Sequence, residues 1–135
     1  MSSKVFVKAR TRGGLQVEAS TPRNHVVVDE PPENGGSGAG LSPSETLLSA
    51  LGSCAAMTLM LYAKRKAWPL EGVEIDLSLE RPEKPGPGQP QTIRQVIRLT
   101  GALDEEQRTR LKEIAGKCPV HRTLEGPLVL EETLG

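Results

Sequence analysis

Residues 40–66, GLSPSETLLSALGSCAAMTLMLYAKRK, read as one long helix with Cys54 near its middle, and the rest of the chain is arranged around it. Ser42 suits the N-cap, and Pro43 suits the first helical position, where a missing N–H costs nothing. Glu45 sits where a carboxylate can reach back to the cap. From Thr46 to Ala63 no residue is charged. Leu47, Leu51, Cys54, Thr58 and Leu61 follow one apolar stripe at helical spacing, and Leu48, Ala55, Leu59 and Ala63 follow another. A helix apolar around most of its circumference is expected to be buried around most of it. The run is long enough to raise a membrane span, but it contains Ser49, Gly52, Ser53 and Thr58 and the remaining chain is polar, so no membrane is expected as a partner. The small residues Ser49, Ala50, Gly52, Ser53, Ala55 and Ala56 allow another backbone to come close. That predicts a partner helix, with a second copy of the chain as one source.

Upstream, Val5, Val7 and Ala9 alternate with Phe6 and Lys8, and after Gly13-Gly14 the residues Leu15, Val17 and Ala19 alternate with Gln16, Glu18 and Ser20. The pattern predicts a hairpin with a glycine turn. A second turn at Thr21–Asn24 leads to a third strand at His25–Val28, giving an antiparallel meander. Residues 30–40, EPPENGGSGAG, are expected to hold no regular structure and to form a mobile rim for a site. Downstream, Val73, Ile75, Leu77 and Leu79 alternate with polar residues as in a strand buried on one face. Pro82–Gln91 reads as a long turn and Thr92–Thr100 as the returning strand. Asp104 then caps a second helix, with Gln107 at the box position, Leu111, Ile114 and Ala115 facing inward, and Gly116 as its stop. Cys118-Pro119 opens a short turn, and Leu128–Leu130 is expected to be a last strand. The order βββ-α-ββ-α-β with antiparallel pairing predicts an α+β fold in a single domain spanning residues 1–135.

The 17 basic and 17 acidic residues cancel, and no basic run or aromatic-studded stripe occurs. Nucleic acid and anionic membrane surfaces are therefore not expected as partners. Aromatic residues make up only 2% of the chain, so the core must be built from Leu, Val, Ile and Ala. The opening MSSKVFVKAR lacks the apolar core of a signal peptide, which predicts a cytoplasmic protein. In that compartment two cysteines are more often free or redox-active than a structural staple.

Cys54 lies on an apolar helical stripe, where a cysteine can simply pack. Cys118 precedes Pro119 at the start of a short helix, so its sulfur is expected to face free N–H groups with Lys117, His121 and Arg122 nearby, an environment that favours thiolate. Packing without reaction is the alternative for Cys118 too. Cys118-x-x-His121 with Cys54 and His25 also supplies the ligand types of a zinc site, but the intervals from His25 to Cys54 and from Cys54 to Cys118 are long and no CxxC occurs. A Cys-His hydrolase lacks a third residue to orient the histidine. Gly35-Gly36-Ser37-Gly38 shares only composition with a phosphate loop and lacks the Lys-Ser/Thr that follows one.

Taken together, Asp29-Glu30-Pro31, Gly35-Gly36, Gly40-Leu41-Ser42-Pro43-Ser44-Glu45-Thr46-Leu47-Leu48, Ala50-Leu51-Gly52-Ser53-Cys54 and Cys118-Pro119-Val120-His121 resemble the OsmC/Ohr family of thiol-dependent hydroperoxidases. The resemblance covers nearly the whole chain. It implies an intertwined homodimer in which two chains share antiparallel sheets and pair their cysteine helices centrally. It also implies that Cys54 is the peroxidatic thiolate that reduces an organic hydroperoxide to an alcohol, that Cys118 resolves the resulting sulfenic acid to a disulfide, and that a dithiol reduces the disulfide. No metal or organic cofactor is implied. A mid-helix thiol in apolar surroundings needs a cation to ionise. In the family an arginine held by a glutamate supplies it; Arg10, Arg12 and Arg23 are the candidates here, with Arg23, close to His25 in sequence, preferred. Glu45 is carried over as the glutamate, although Ser44 holds the usual place ten residues before the cysteine. One position turns a helical side chain by about 100°, so Glu45 acts through an arginine or the partner chain rather than on its own Cys54. The alternative function is an OsmC-like dimer that binds a small molecule or a protein without reducing peroxides.

Overall fold

The computed structural model describes residues 3–84 and 86–135; Pro85, within the expected Pro82–Gln91 turn, and the first two residues of the N-terminal stretch lie outside the described residues. The chain forms two compact units, Met1–Leu47 and Leu48–Gly135.

In the first unit β1 (Lys8–Gly13), β2 (Gln16–Ser20) and β3 (His25–Val28) form an antiparallel sheet in that order, the expected meander. β1 begins later than its apolar alternation suggests. Lys8 already pairs with Ser20, the last residue of β2, so Val5, Phe6 and Val7 have no strand opposite them and stay exposed. The glycine-rich segment after β3 is better ordered than its composition predicts, with a 3-10 turn at Pro32–Asn34. Its organiser is the buried carboxylate of Asp29. Oδ1 accepts from the Glu30 N–H at 2.8 Å, and Oδ2 accepts from the Ser37 hydroxyl at 2.6 Å and from the N–H groups of Ser37 and Ala39 at 3.2 and 3.1 Å. The amides that could have cradled a phosphate are therefore turned onto the chain's own anion. Gly36 permits this closure, since a Cβ there would overlap the Glu30 carbonyl oxygen. The hydrogen bonds, led by that from the Ser37 hydroxyl, lower the Asp29 pKa from 3.8 to about 2.

α1 (Pro43–Lys66) starts as its sequence predicts. Ser42 N–H donates to Glu45 Oε1 at 2.8 Å, and Glu45 N–H donates back to the Ser42 hydroxyl at 3.2 Å, a closed capping box. The helix continues into the second unit, which also contains the antiparallel pair β4 (Leu70–Glu80) and β5 (Thr92–Gly101), then α2 (Glu105–Ala115) and α3 (Pro119–Glu125). Asp104 and Gln107 form the expected capping box of α2, and Leu111, Ile114 and Ala115 are its buried face. These three pack with Leu59 and Ala63 of α1 and Leu70 of β4 into one apolar cluster.

Two expectations fail in this unit. Only the edge Leu51, Gly52, Ala55, Leu59 and Ala63 of α1 is buried, while Met57 and Leu61 remain 65% and 63% exposed. Leu47 and Met60 are exposed as well, so the apolar circumference of the helix is covered on one side only. By length and composition α1 is also apolar enough to cross a membrane, with 28% of its most apolar window buried. Leu128–Leu130 is not a strand. Residues 127–135 have no regular structure and Val129 and Leu130 are 77% exposed, because among the described residues no strand pairs with them.

Two measurements check this account. Asp29 is ionised in the folded protein down to about pH 2 but only to its ordinary 3.8 when unfolded, so its contribution to stability is complete above that higher value and is lost as the pH falls through the lower one. The melting-temperature gap between the protein and its Asp29→Asn variant should be constant from pH 7 to about 5 and close below pH 3; a gap unchanged at pH 2.5 contradicts the clamp. Leu59 is fully buried, so Leu59→Ala should cost about 2–5 kcal/mol in a denaturant titration.

Candidate active site

Cys54 and Cys118, 64 positions apart in sequence (118 − 54), meet in the second unit. Cys54 lies beside the buried edge of α1, between Leu51 and Ala55, and is itself half-buried. Cys118 is the N-cap of α3, with Pro119 at the first helical position, and is 0% exposed. Their surroundings are apolar: Leu51 and Ala55 of α1, Ile75 and Leu77 of β4, Ile93 of β5 and Val120 of α3. Gly52 lets β4 come this close, because a Cβ there would fall 2.6 Å from a methyl of Leu77.

The Cys118 sulfur does face a helix N-terminus, accepting from the His121 N–H at 3.4 Å. The expectation that this favours thiolate is overturned. Burial pushes the Cys118 thiol up, and the His121 N–H offsets only part of the lost solvation. A side-chain hydrogen bond to Cys54, and the negative charge of Cys54 when ionised, push it further in the same direction. Lys117 and Arg122 do not compensate. Cys118 is therefore shifted toward its protonated form, and the pair is asymmetric: one thiol is fully buried and the other half-exposed.

The remaining predicted residues lie elsewhere. Arg23 is exposed in the turn between β2 and β3, where its N–H donates to the Thr21 hydroxyl at 3.3 Å. Arg10 is exposed on β1, and Arg12 pairs with Glu18 at 3.3 Å. Glu45 serves the α1 cap, and no ion pair joins it to Arg23 among the described residues. All of these belong to the first unit, as does His25. No three His, Cys, Asp or Glu side chains gather as a metal site would require, among the described residues.

One contact escaped the sequence reading. His121 Nδ1 lies 2.7 Å from Glu125 Oε1, so a third residue does orient the histidine. The i, i+4 spacing on a short helix was the available signal. A Cys-His hydrolase still does not follow. The link from Cys118 runs to the backbone of His121, and the thiol is shifted away from the ionised form that such chemistry needs.

Comparison with known proteins bears on the fold and the family. The fold matches that of an OsmC-like protein from Mycoplasma pneumoniae, with a TM-score of 0.80 at 21% identity, covering 94% of this chain and 91% of that one. An organic hydroperoxide resistance protein OsmC from Legionella pneumophila matches with a TM-score of 0.69 at 20% identity, covering 94% of each chain. One from Elizabethkingia anophelis matches with a TM-score of 0.67 at 17% identity, covering 95% of this chain and 94% of that one. No curated protein matches in sequence. The sequence pattern described as OsmC-like protein matches residues 35–133, from the Asp29-bound loop through both cysteines, and the chain belongs to the OsmC-like family.

Proposed function

We propose that the protein reduces organic hydroperoxides to alcohols through Cys54 and Cys118, in defence against oxidative stress. The observation that carries this reading is the meeting of two free cysteines in one apolar cluster, Cys118 fully buried and Cys54 half-exposed. Family membership and the shared fold of organic hydroperoxide resistance proteins support it. Cys54, as thiolate, attacks the terminal oxygen of ROOH; the O–O bond breaks, the alkoxide leaves and takes a proton from solvent, and Cys54 becomes a sulfenic acid. Cys118 then attacks that sulfur. An S–S bond forms, the S–O bond breaks, and the hydroxyl leaves with the Cys118 proton as water. A dithiol returns both cysteines to thiols and is itself oxidised to a disulfide. The cycle calls for no metal or organic cofactor.

The division of labour follows from exposure. A resolving thiol that stays protonated does not compete for the peroxide, and a half-exposed sulfur can be reached by it. Arg23 is our choice for the cation that ionises Cys54. Glu45 commits Oε1 to Ser42, which leaves Oε2 as the atom that would hold that arginine.

The protein also acts as a homodimer in this reading, in the cytoplasm, with neither nucleic acid nor membrane as a partner. Uncovered apolar surface supports the dimer. Hollows of about 300 and 460 Å³ run along α1, the first lined by Ser49, Gly52, Ser53, Ala56, Ile75 and Leu77, the second by Ala56, Met57, Met60, Leu61 and Val73. The apolar Val5–Val7 and Leu128–Leu130 are likewise without a place on their own chain.

Three results are expected. Cys54→Ser should abolish consumption of cumene hydroperoxide, whereas Cys118→Ser should give a single turnover that stalls at sulfenic acid; full turnover in the Cys54 variant rejects the mechanism, and no consumption by the unaltered protein leaves a binding module. Limiting iodoacetamide at pH 7.5, read by peptide mass, should label Cys54 well before Cys118. In sedimentation at micromolar concentration the protein should have twice its 14.5 kDa chain mass, and Leu61→Glu should shift it to monomer. A monomeric wild type rejects the dimer while leaving the thiol chemistry untouched.

A further inference from the structure

α3 is weakly anchored for an element that carries a redox sulfur at its start. It has seven residues, and none of its side chains is buried. A helix this short is not stable alone, and of its residues only Val120 packs against the apolar cluster that holds Cys118. Hydrogen bonds close its ends. The Cys118 sulfur accepts from the His121 N–H at 3.4 Å, and the Gly126 N–H donates to the Arg122 and Thr123 carbonyls at 3.3 and 3.1 Å. Two side-chain bonds span the turns between: the Thr123 hydroxyl donates to the Pro119 carbonyl at 3.1 Å, and His121 Nδ1 lies 2.7 Å from Glu125 Oε1.

An ionised carboxylate only accepts, so Nδ1 carries the proton and donates it. The bond fixes residue 121 by its side chain while the N–H of the same residue holds the sulfur. On a surface helix an i, i+4 pair ordinarily stabilises the helix and does nothing more. Here the two cannot be separated, because the atom that caps the helix is also the thiol that meets Cys54. The backbone N–H groups of His121 and Val120 draw Cys118 toward thiolate, against burial and Cys54, and among the described residues no other charged side chain acts on its ionisation. The imidazole shares its surroundings with Leu51, Gln91, Ile93, Gln95, Leu124 and Glu125, of which Glu125 alone is titratable.

We propose that His121 and Glu125 are positioning residues for the resolving step: their side-chain tie holds the first turn of α3, so that its N–H groups stay on the Cys118 sulfur while that sulfur attacks Cys54. In the step an S–S bond forms, the S–O bond of the Cys54 sulfenic acid breaks, and the hydroxyl leaves with the Cys118 proton as water. The place of the tie in the reaction rests on the proposed function. Its hold on the sulfur rests on the geometry alone.

The test uses Glu125→Gln, which removes the carboxylate from an exposed position and leaves the apolar cluster intact. In a Cys54→Ser background Cys118 is the only thiol, and its ionisation is followed by the NMR shift of its β-carbon as the pH is raised. Loss of the tie should raise the midpoint by about 0.3 pH unit, the worth of one i, i+4 pair. Removal of a negative charge by itself lowers it, since an anion nearby disfavours a thiolate, so the sign separates positioning from mere proximity. The second reading keeps both cysteines. Cys54 is loaded with thionitrobenzoate as a mixed disulfide, and release of the coloured thiolate is timed as Cys118 displaces it. Closure should be about twofold slower in Glu125→Gln, and in His121→Gln, than in the unaltered protein. A midpoint that falls means that Glu125 acts by charge alone, and an unmoved midpoint with slower closure means that the imidazole itself takes the proton. An unmoved closure rate means that the N–H groups do not assist the attack. Each of the three overturns the proposal. No peroxide enters either reading, so failure of the peroxidase function and failure of this inference are told apart.

Discussion

Burial of one edge of α1 is the contact on which the second unit depends. Leu59 and Ala63 enter the cluster formed with Leu70, Leu111, Ile114 and Ala115, while Leu51 and Ala55 enter the one that holds Cys118. The edge is narrow because its residues are small or unbranched at Cβ, and Gly52 at its margin admits the Leu77 methyl where any Cβ would intrude. Cys54 sits at the border between this edge and the uncovered face. A helix rotated by one position would bury it or turn it away from Cys118, since each residue advances about 100°.

The asymmetry of the thiols is a contest between two effects of the same location. The start of α3 offers Cys118 an N–H at 3.4 Å, which favours thiolate, but the site also strips the sulfur of all solvent. The backbone N–H groups of His121 and Val120 do not replace a hydration shell, and burial wins. The consequence is a division of roles without any difference in residue type. One thiol is shifted toward its protonated form, and the other stands where a small reactant can reach it.

The first unit solves a different problem. Its glycine-rich segment exposes a series of N–H groups that need acceptors, and Asp29 supplies two carboxylate oxygens to them from inside. The carboxylate in turn is ionised well below its ordinary range. An anionic ligand would find these amides already taken. In Gln95 the opposite occurs: among the described residues its buried side-chain oxygen has no donor.

Much of this was legible in the order of residues. The caps of α1 and α2, the one-sided alternation of β4 and β5, the meander of β1–β3 and the helical start at Pro119 are local patterns, and local patterns depend on neighbours within a few positions. The candidate thiols were equally visible, as the only two cysteines in the chain. What the sequence could not decide is whatever depends on distant partners. Val5–Val7 and Leu128–Leu130 carry the pattern of strands, yet among the described residues no strand pairs with them. Which α1 stripe is covered, that Cys54 and Cys118 touch, that Asp29 reaches Ser37 and Ala39, and that burial outweighs the helix start at Cys118 were all settled by tertiary packing. Periodicity records which side chains share a face. Only the folded chain determines what that face meets and how much water it keeps.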